Sequence, residues 1–450
     1  MMTQSRLALI ALLLLPAWMK ALPQDTCEHL AALKIPETSI VTAQTVAAGA
    51  FVGPPAPYSG VDISSLYKSL PAFCRVVASA RPSSDSDIRI EVWLPLEGWN
   101  GKLQGFGNGG FAGFIDTMSM GFALNKGYAA TATDTGHTGS PVDAKWAPGH
   151  PEKLKDFGYR GIHEMTRAAK AVIESFYKKG PRYSYFAGCS DGGREALMEA
   201  QRYPEDYNGI LAGAPANYWT RLLSLAAFDT RTLTVDSGSY IPPAKIPAIA
   251  AAVNAACDKR DGVADGILND PRECRFDPAT IKCKQGEDSD NCLTEQQVNT
   301  LRTLYAGLHD SRGRSLFPGY LPGGETGPGG WGLWITGPAP GKSLMAAFAQ
   351  GYFGEIVYGN PGWDVRTFEL EPALKLADEK TASEVNAVDP NLEPFRKRGG
   401  KLILYHGWND PAIPALNTID YYQSVTSKMG QQNAESFVRL YMVPGMQHCG

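Results

Sequence analysis

Long basic runs are missing from this sequence. Its 42 Lys and Arg stand against 46 Asp and Glu, a formal net charge of -4. That balance excludes the electrostatic footprint of a nucleic-acid binder or of a protein drawn to an anionic membrane. Histidine is scarce, with 7 in 450 residues, and none is grouped at ligand spacing. No Cys-x-x-Cys pair occurs either, so a zinc site has little foundation. Internal repeats and long low-complexity tracts are absent, and beyond the first 21 residues no apolar run is long enough to span a bilayer.

What is present points outward from the cytoplasm. Arg6 precedes the apolar stretch of residues 7–19, and cleavage near Ala21 fits an export signal over residues 1–21. The mature chain is expected to be secreted or periplasmic. Eight cysteines, an even number behind such a signal, predict disulfides rather than free thiols. Spacing suggests the local pairs Cys27 with Cys74, Cys257 with Cys274, and Cys283 with Cys292. Cys189 and Cys449 are left over, far apart in the chain.

The pattern from about residue 86 to 216 is α/β. Strands are predicted in "DIRIEVWLPL", "GKLQGF", "GYAATAT", "RYSYFAG" and "YNGILAG", and helices in "YRGIHEMTRAAKAVIESFYKKG" and "DGGREALMEAQRYP". Residues 217–395 change character to scattered helices and cysteine-closed loops. Strands then return in "GGKLILYHG" and "SFVRLYMVP" around the helix "LNTIDYYQSVTSKMG". The simplest organisation is an α/β domain over residues 22–216 and 396–450, interrupted by a lid over 217–395.

Gly188-Cys189-Ser190-Asp191-Gly192 lies between a predicted strand and a predicted helix. That is the context a nucleophile elbow requires, with small residues flanking a strained turn. Asp410 and His448 each follow a later strand, completing the chain order Ser, Asp, His. His448 would take the proton of Ser190, and Asp410 would orient the imidazole. The main-chain N–H of Asp191 would bind the oxyanion, together with that of Gly109 or Gly110 in "GFGNGGFAG". The same stretch matches Gly-x-Gly-x-x-Gly at Gly105, Gly107 and Gly110, but it opens no clear helix, so a dinucleotide site is the weaker reading. His137 reads as a site-lining or loop-ordering group, His163 as packing, and His406 as a group behind the site. His29, His150 and His309 carry no argument.

In "CDKRDGVADGILNDP", Asp258, Asp261 and Asp265 crowd together beside Gly262 and Gly266. A hard cation such as calcium would relieve the repulsion, with carbonyls of Val263 and Ile267 turned inward. A solvated acidic turn is the alternative, and the spacing is not that of an EF-hand.

The stretches "GCSDGGREAL", "CDKRDGVADGIL", "YHGWNDPAIP" and "GMQHC" together resemble the tannase and feruloyl esterase family of α/β-hydrolases, which includes mono(hydroxyethyl) terephthalate hydrolase. The helix "YRGIHEMTRAAKAVIESFY" and "YGNPGWDVRTF" share the likeness, which spans most of the mature chain. The resemblance implies an α/β-hydrolase fold with a large inserted lid, and ester hydrolysis by Ser190, Asp410 and His448. It implies structural calcium in the lid on Asp258, Asp261, Val263, Asp265 and Ile267. It also implies a disulfide between Cys189 and Cys449. Members of the family continue for several dozen residues past the His-Cys pair, whereas this sequence ends at Gly450.

The expected substrate is therefore a small ester of an aromatic acid, such as one released from a plant polymer, with no nucleic-acid or membrane partner. Trp331, Trp334, Tyr352 and Phe353 are candidates for stacking on its ring, with lid packing as the alternative for each. A general carboxylesterase is the runner-up. A catalytically impaired, calcium-stabilised binding protein on a hydrolase scaffold is the reading from a different class. The intact Ser-Asp-His order weighs against it.

Overall fold

The structure, a computed structural model, describes residues 26–54 and 62–450. The expected export signal lies outside the described residues. Among the described residues there are eleven strands: β1 (Thr38–Val46), β2 (Phe73–Ala80), β3 (Ile88–Pro95), β4 (Lys102–Phe106), β5 (Ala129–Thr133), β6 (Tyr183–Cys189), β7 (Gly209–Gly213), β8 (Leu308–His309), β9 (Ser315–Phe317), β10 (Lys401–Gly407) and β11 (Val438–Val443). Nine of them form one sheet in the order β1-β2-β3-β5-β4-β6-β7-β10-β11. Pairing is antiparallel from β1 through β3 to β5 and parallel from there to β11. The strands expected from alternation are all present, and β1 and β2 extend the sheet by two strands that the sequence reading did not anticipate.

Burial explains the pattern. β5 is buried at every position, as expected of a central strand covered on both faces. The helix Gly161–Tyr177 lays Ile162, Met165, Ala169, Val172 and Phe176 against the sheet at helical spacing. It ends at Lys178 in the left-handed region, with φ 57°, rather than at the glycine two residues on. The helices Asp191–Arg202 and Ala415–Met429 complete the cover.

The insertion between β7 and β10 contains the helices Trp219–Thr234, Ile246–Cys257, Glu295–Ala306, Leu344–Ala349 and Leu370–Val385, and the small pair β8–β9. It has a second hydrophobic core, which takes in Phe111 and Phe157 from the sheet-bearing part. The insertion is thus seated on the loop that follows β4. Among the described residues no helix is long and apolar enough to cross a membrane.

All eight cysteines are paired, as Cys27–Cys74, Cys189–Cys449, Cys257–Cys274 and Cys283–Cys292. The first three-way local assignment from spacing holds, and the remaining bridge is the one the resemblance implied.

The tightest packing lies where β6 meets its helix. A Cβ on Gly188 would sit 2.3 Å from the carbonyl oxygen of Gly192, and one on Gly193 would sit 2.4 Å from that of Gly213. Backbone cannot yield as a side chain does. Gly188→Ala is therefore expected to destabilise the fold by about 2 kcal/mol or more, as overpacking does. Gly180→Ala, where the added methyl meets nothing within 4 Å, serves as the control. Equal melting temperatures for the two variants would refute the close-packing account.

Candidate active site

Strands β6, β7, β10 and β11 run parallel and side by side. Whatever follows their C-terminal ends therefore meets on one rim of the sheet. Ser190 follows β6, Asp410 lies three residues past β10, and His448 lies in the loop after β11.

Ser190 has φ 65° and ψ −122°, a conformation strained for any residue with a side chain. The surrounding backbone over-determines it. Its N–H donates to Gly213 O at 3.0 Å, and its carbonyl accepts from Ala216 N at 3.0 Å and Gly193 N at 3.0 Å. The hydroxyl is thereby presented above the sheet, at the head of the helix Asp191–Arg202.

Asp410 is fully buried and saturated with donors. Oδ1 accepts the N–H groups of Ala412 at 2.8 Å and Ile413 at 2.9 Å. Oδ2 accepts from His448 Nδ1 at 2.8 Å and lies 3.1 Å from His406 Nε2. Burial alone would raise its pKa. The two histidines outweigh that and hold the carboxyl well below the usual range. With Nδ1 committed to Asp410, the Nε2 of His448 is left outside that hydrogen bond. Among the described residues Ser190 Oγ makes no hydrogen bond. The Cys189–Cys449 bridge, with Cα atoms 5.9 Å apart, joins the neighbours of Ser190 and His448.

The N–H groups expected to bind an oxyanion lie on and opposite the same turn. Asp191 is the first residue of its helix, and its N–H has no backbone acceptor. Opposite it, Gly192 N–H donates to Asn108 O at 2.8 Å, which fastens the loop after β4 to the Ser190 turn. Asn108 N–H donates to Glu195 Oε2 at 2.8 Å, and its side-chain amide donates to Phe114 O and Thr133 O, both at 2.9 Å. Gly110 has φ 60°, and a Cβ there would lie 2.2 Å from Pro141 O. The N–H groups of Gly109 and Gly110 are left without acceptors among the described residues. The Asp191 side chain faces away from the site. It pairs with the fully buried Arg194 at 2.6 Å, and burial raises its pKa.

His137 orders this loop rather than lining the site. Its Nε2 bonds to Phe111 O at 2.7 Å, and its ring stacks on Trp146 at 4.1 Å. His163 is a packing residue that stacks on Tyr203 and pairs with Asp206.

Of the four aromatic candidates, only Trp334 reaches the site. Its ring meets that of His448 edge-on, with centroids 5.1 Å apart. Trp331 is buried against Tyr305 and Tyr320. Tyr352 is buried with its hydroxyl 2.7 Å from Thr381 Oγ1, and Phe353 is buried among Tyr358, Trp363 and Phe368. These three belong to the core of the insertion, which corrects the expectation that they stack on substrate. The residue missed by sequence reasoning is Phe348. It lies parallel to Trp334 at 6.2 Å and contacts Phe111 at 5.6 Å. Trp334 and Phe348, both half-buried, form an aromatic wall from His448 to Phe111 in the loop after β4. Gln447 straps the insertion beside it, accepting from Gly329 N at 3.2 Å and donating to Thr326 O at 2.6 Å.

The calcium implied by the resemblance calls for hard oxygen donors in the 258–267 loop. Asp258 accepts from Gly266 N, Asp261 from Val263 N and Asn269 N, and Asp265 from Ile267 N. No ion pair reaches these three carboxylates among the described residues, so their charge has no basic partner. The donor set, all oxygen and uncompensated, fits a hard cation in its chemistry. Among the described residues, however, no three His, Cys, Asp or Glu side chains are gathered so as to hold an ion. Main-chain amides organise the loop around each carboxylate separately.

A mixed sheet with a strained Ser turn after one parallel strand, and an Asp and a His after later ones, has the arrangement of an α/β-hydrolase. The family described as Tannase and feruloyl esterase matches residues 74–450. An uncharacterized esterase of Xanthomonas campestris pv. campestris is 40% identical over 94% of this chain and 76% of its own length. A probable feruloyl esterase B-2 of Aspergillus terreus is 34% identical over 84% of this chain and 70% of its own. The crystal structure of feruloyl esterase B from Aspergillus oryzae superposes with a TM-score of 0.86 at 28% identity, covering 95% of this chain and 83% of that one. The chain belongs to the tannase and feruloyl esterase family and is a carboxylic ester hydrolase.

Burial pushes the His137 imidazole down to about 4. The stability contributed by its neutral form is complete above the ordinary histidine pKa and is lost as pH falls toward 4. Full protonation costs up to about 3 kcal/mol. His137→Gln, which keeps a donor but does not titrate, is expected to lose less melting temperature than wild type between about pH 7 and about pH 4.5. Equal losses would show that His137 is not an acid-labile point of this loop.

Proposed function

We propose that the protein is a secreted serine esterase acting on esters of aromatic acids of the feruloyl or galloyl type. The observation that carries this reading is the Asp410–His448 hydrogen bond at 2.8 Å beside a strained Ser190. Ser190 Oγ attacks the ester carbonyl while His448 Nε2 takes its proton. The tetrahedral oxyanion rests on Asp191 N–H and on Gly110 or Gly109 N–H, each such donor being worth about 3 kcal/mol. His448 returns the proton to the leaving alcohol. Water, activated by the same nitrogen, then releases the acid from the acyl-enzyme. The ring of the acid packs against Trp334 and Phe348.

Residues 217–395 act as the lid of this site, and the 258–267 loop holds calcium in a structural role. Asp258, Asp261 and Asp265 would supply carboxylates and Val263 and Ile267 carbonyls. No step of the hydrolysis passes through the metal. Export is supported by four disulfides, which persist in oxidising compartments.

Ser190→Ala is expected to abolish labelling by a fluorophosphonate and to lower kcat by about 10⁴-fold or more. Among methyl ferulate, methyl gallate, mono(hydroxyethyl) terephthalate and a short acyl ester, an aromatic ester is expected to turn over best. Labelling of the alanine variant equal to wild type would sink the nucleophile assignment, and preference for the short acyl ester would sink the aromatic one. Treatment with EGTA is expected to lower the melting temperature and added calcium to restore it. A chain that carries no calcium after dialysis and melts identically with either additive has no such site.

A further inference from the structure

We propose that His406 and Thr418 form a positioning unit that fixes the acid of the triad from the side of the sheet. His406 lies in β10 and is fully buried. Its Nε2 is 3.0 Å from Ile413 O and 3.1 Å from Asp410 Oδ2. Both partners are acceptors, so Nε2 carries the hydrogen. Its Nδ1 is 2.7 Å from Thr418 Oγ1, a hydroxyl likewise fully buried, in the first turn of the helix Ala415–Met429. In the neutral ring Nδ1 accepts from that hydroxyl, and the tautomer that donates toward Asp410 is thereby selected. Thr418, His406, Asp410 and His448 thus lie in one line of polar contacts, with His406 Nε2–H bonded to Ile413 O and 3.1 Å from Asp410 Oδ2.

The two oxygens of Asp410 differ in how they are held. Oδ1 is fixed by two main-chain amides of its own turn. Oδ2, which faces His448, would without His406 be held only by His448. That partner sits in the loop after the edge strand β11. His406 instead refers Oδ2 to β10, inside the parallel sheet and paired on both sides. The carboxylate then has three hydrogen-bond donors, with the His406 Nε2–H as a fourth polar contact at 3.1 Å, and any rotation about its side chain disturbs at least one of them. His406 touches neither Ser190 nor the reacting carbonyl. Its effect on the reaction passes entirely through the orientation of Asp410, and so through that of the His448 ring.

The proposal rests on the Ser190–His448–Asp410 reading. Its test uses the full chain and three variants. His406→Leu removes the donor, His406→Gln keeps an N–H there, and Thr418→Val removes the hydroxyl at nearly constant shape. The Leu variant is expected to lose kcat by about 10–100-fold at unchanged KM, the range for residues that orient a catalytic group. The Gln variant is expected to recover most of that loss. Thr418→Val should lose several-fold and shift the far-downfield proton resonance of His448 Nδ1–H. Equal impairment of the Gln and Leu variants, or a folded Leu variant with wild-type kcat, would overturn the proposal. Should the Leu variant fail to fold, wild-type kcat and an unmoved resonance in Thr418→Val would overturn it as well. Ser190→Ala run in parallel separates the two readings, because activity surviving there removes the triad itself, whatever His406 does.

Discussion

The contact between the backbones of Gly188, Gly192 and Gly193 and the neighbouring strand is the constraint on which the site depends. Hydroxyl presentation at Ser190 needs a reversal too sharp for side chains on its inner faces, and the space left is smaller than a methyl group. Once that reversal closes, several placements follow from it. The first N–H of the next helix points outward from the turn, and Gly192 N–H reaches Asn108. Cys189 is turned to the flank where Cys449 arrives. The strain of Ser190 is thus held by packing that would be lost if any one of these close approaches were widened.

The parallel order of β6, β7, β10 and β11 does the rest with little local cost. Loops that leave adjacent parallel strands at the same end need no further instruction to meet. The insertion departs just after β7 and returns just before β10, so it stands over that rim. Its core does not end at its own boundary. Phe111 of the oxyanion loop packs with Trp219 and Phe348, and Phe157 packs with Trp219. Movement of the insertion is therefore coupled by packing to the loop that carries Gly109 and Gly110.

Much of this was legible in the residues. The glycine turn is legible because only glycine tolerates the approach, and the loop positions of Asp410 and His448 because each residue follows a readable strand. Local cysteine pairs are readable from short spacing, since nearby cysteines close cheap loops. Cys189 with Cys449 is not, and it came only with the family likeness. Side-chain direction in the insertion was the main loss. Trp331 and Trp334 lie three residues apart in a single helical turn, and nothing in the sequence says which ring faces the core. Tyr352 and Phe353 fall in the π-helical stretch Gln350–Val357, where helical spacing no longer assigns faces. The acidic loop reads as a calcium site or as a solvated acidic turn, and spacing alone does not choose between them. Asp and Asn side chains also cap nearby amides, and in this loop each Asp does so. His406 was visible only as a residue at a strand end, because its value lies in a partner four residues away.

The Cys189–Cys449 bridge spans 260 residues, and the whole insertion lies within that span. Residues 189–449 are therefore a closed covalent ring, with the insertion as one long arc of it. A single proteolytic nick anywhere in the arc opens the ring but frees no fragment. It yields two chains, one ending beyond Ser190 and the other bearing Asp410 and His448, still joined one residue away from each of Ser190 and His448. By loop-closure entropy the bridge contributes about 5–6 kcal/mol to the intact fold. In the nicked form the same bond also decides whether the active site remains a property of one molecule.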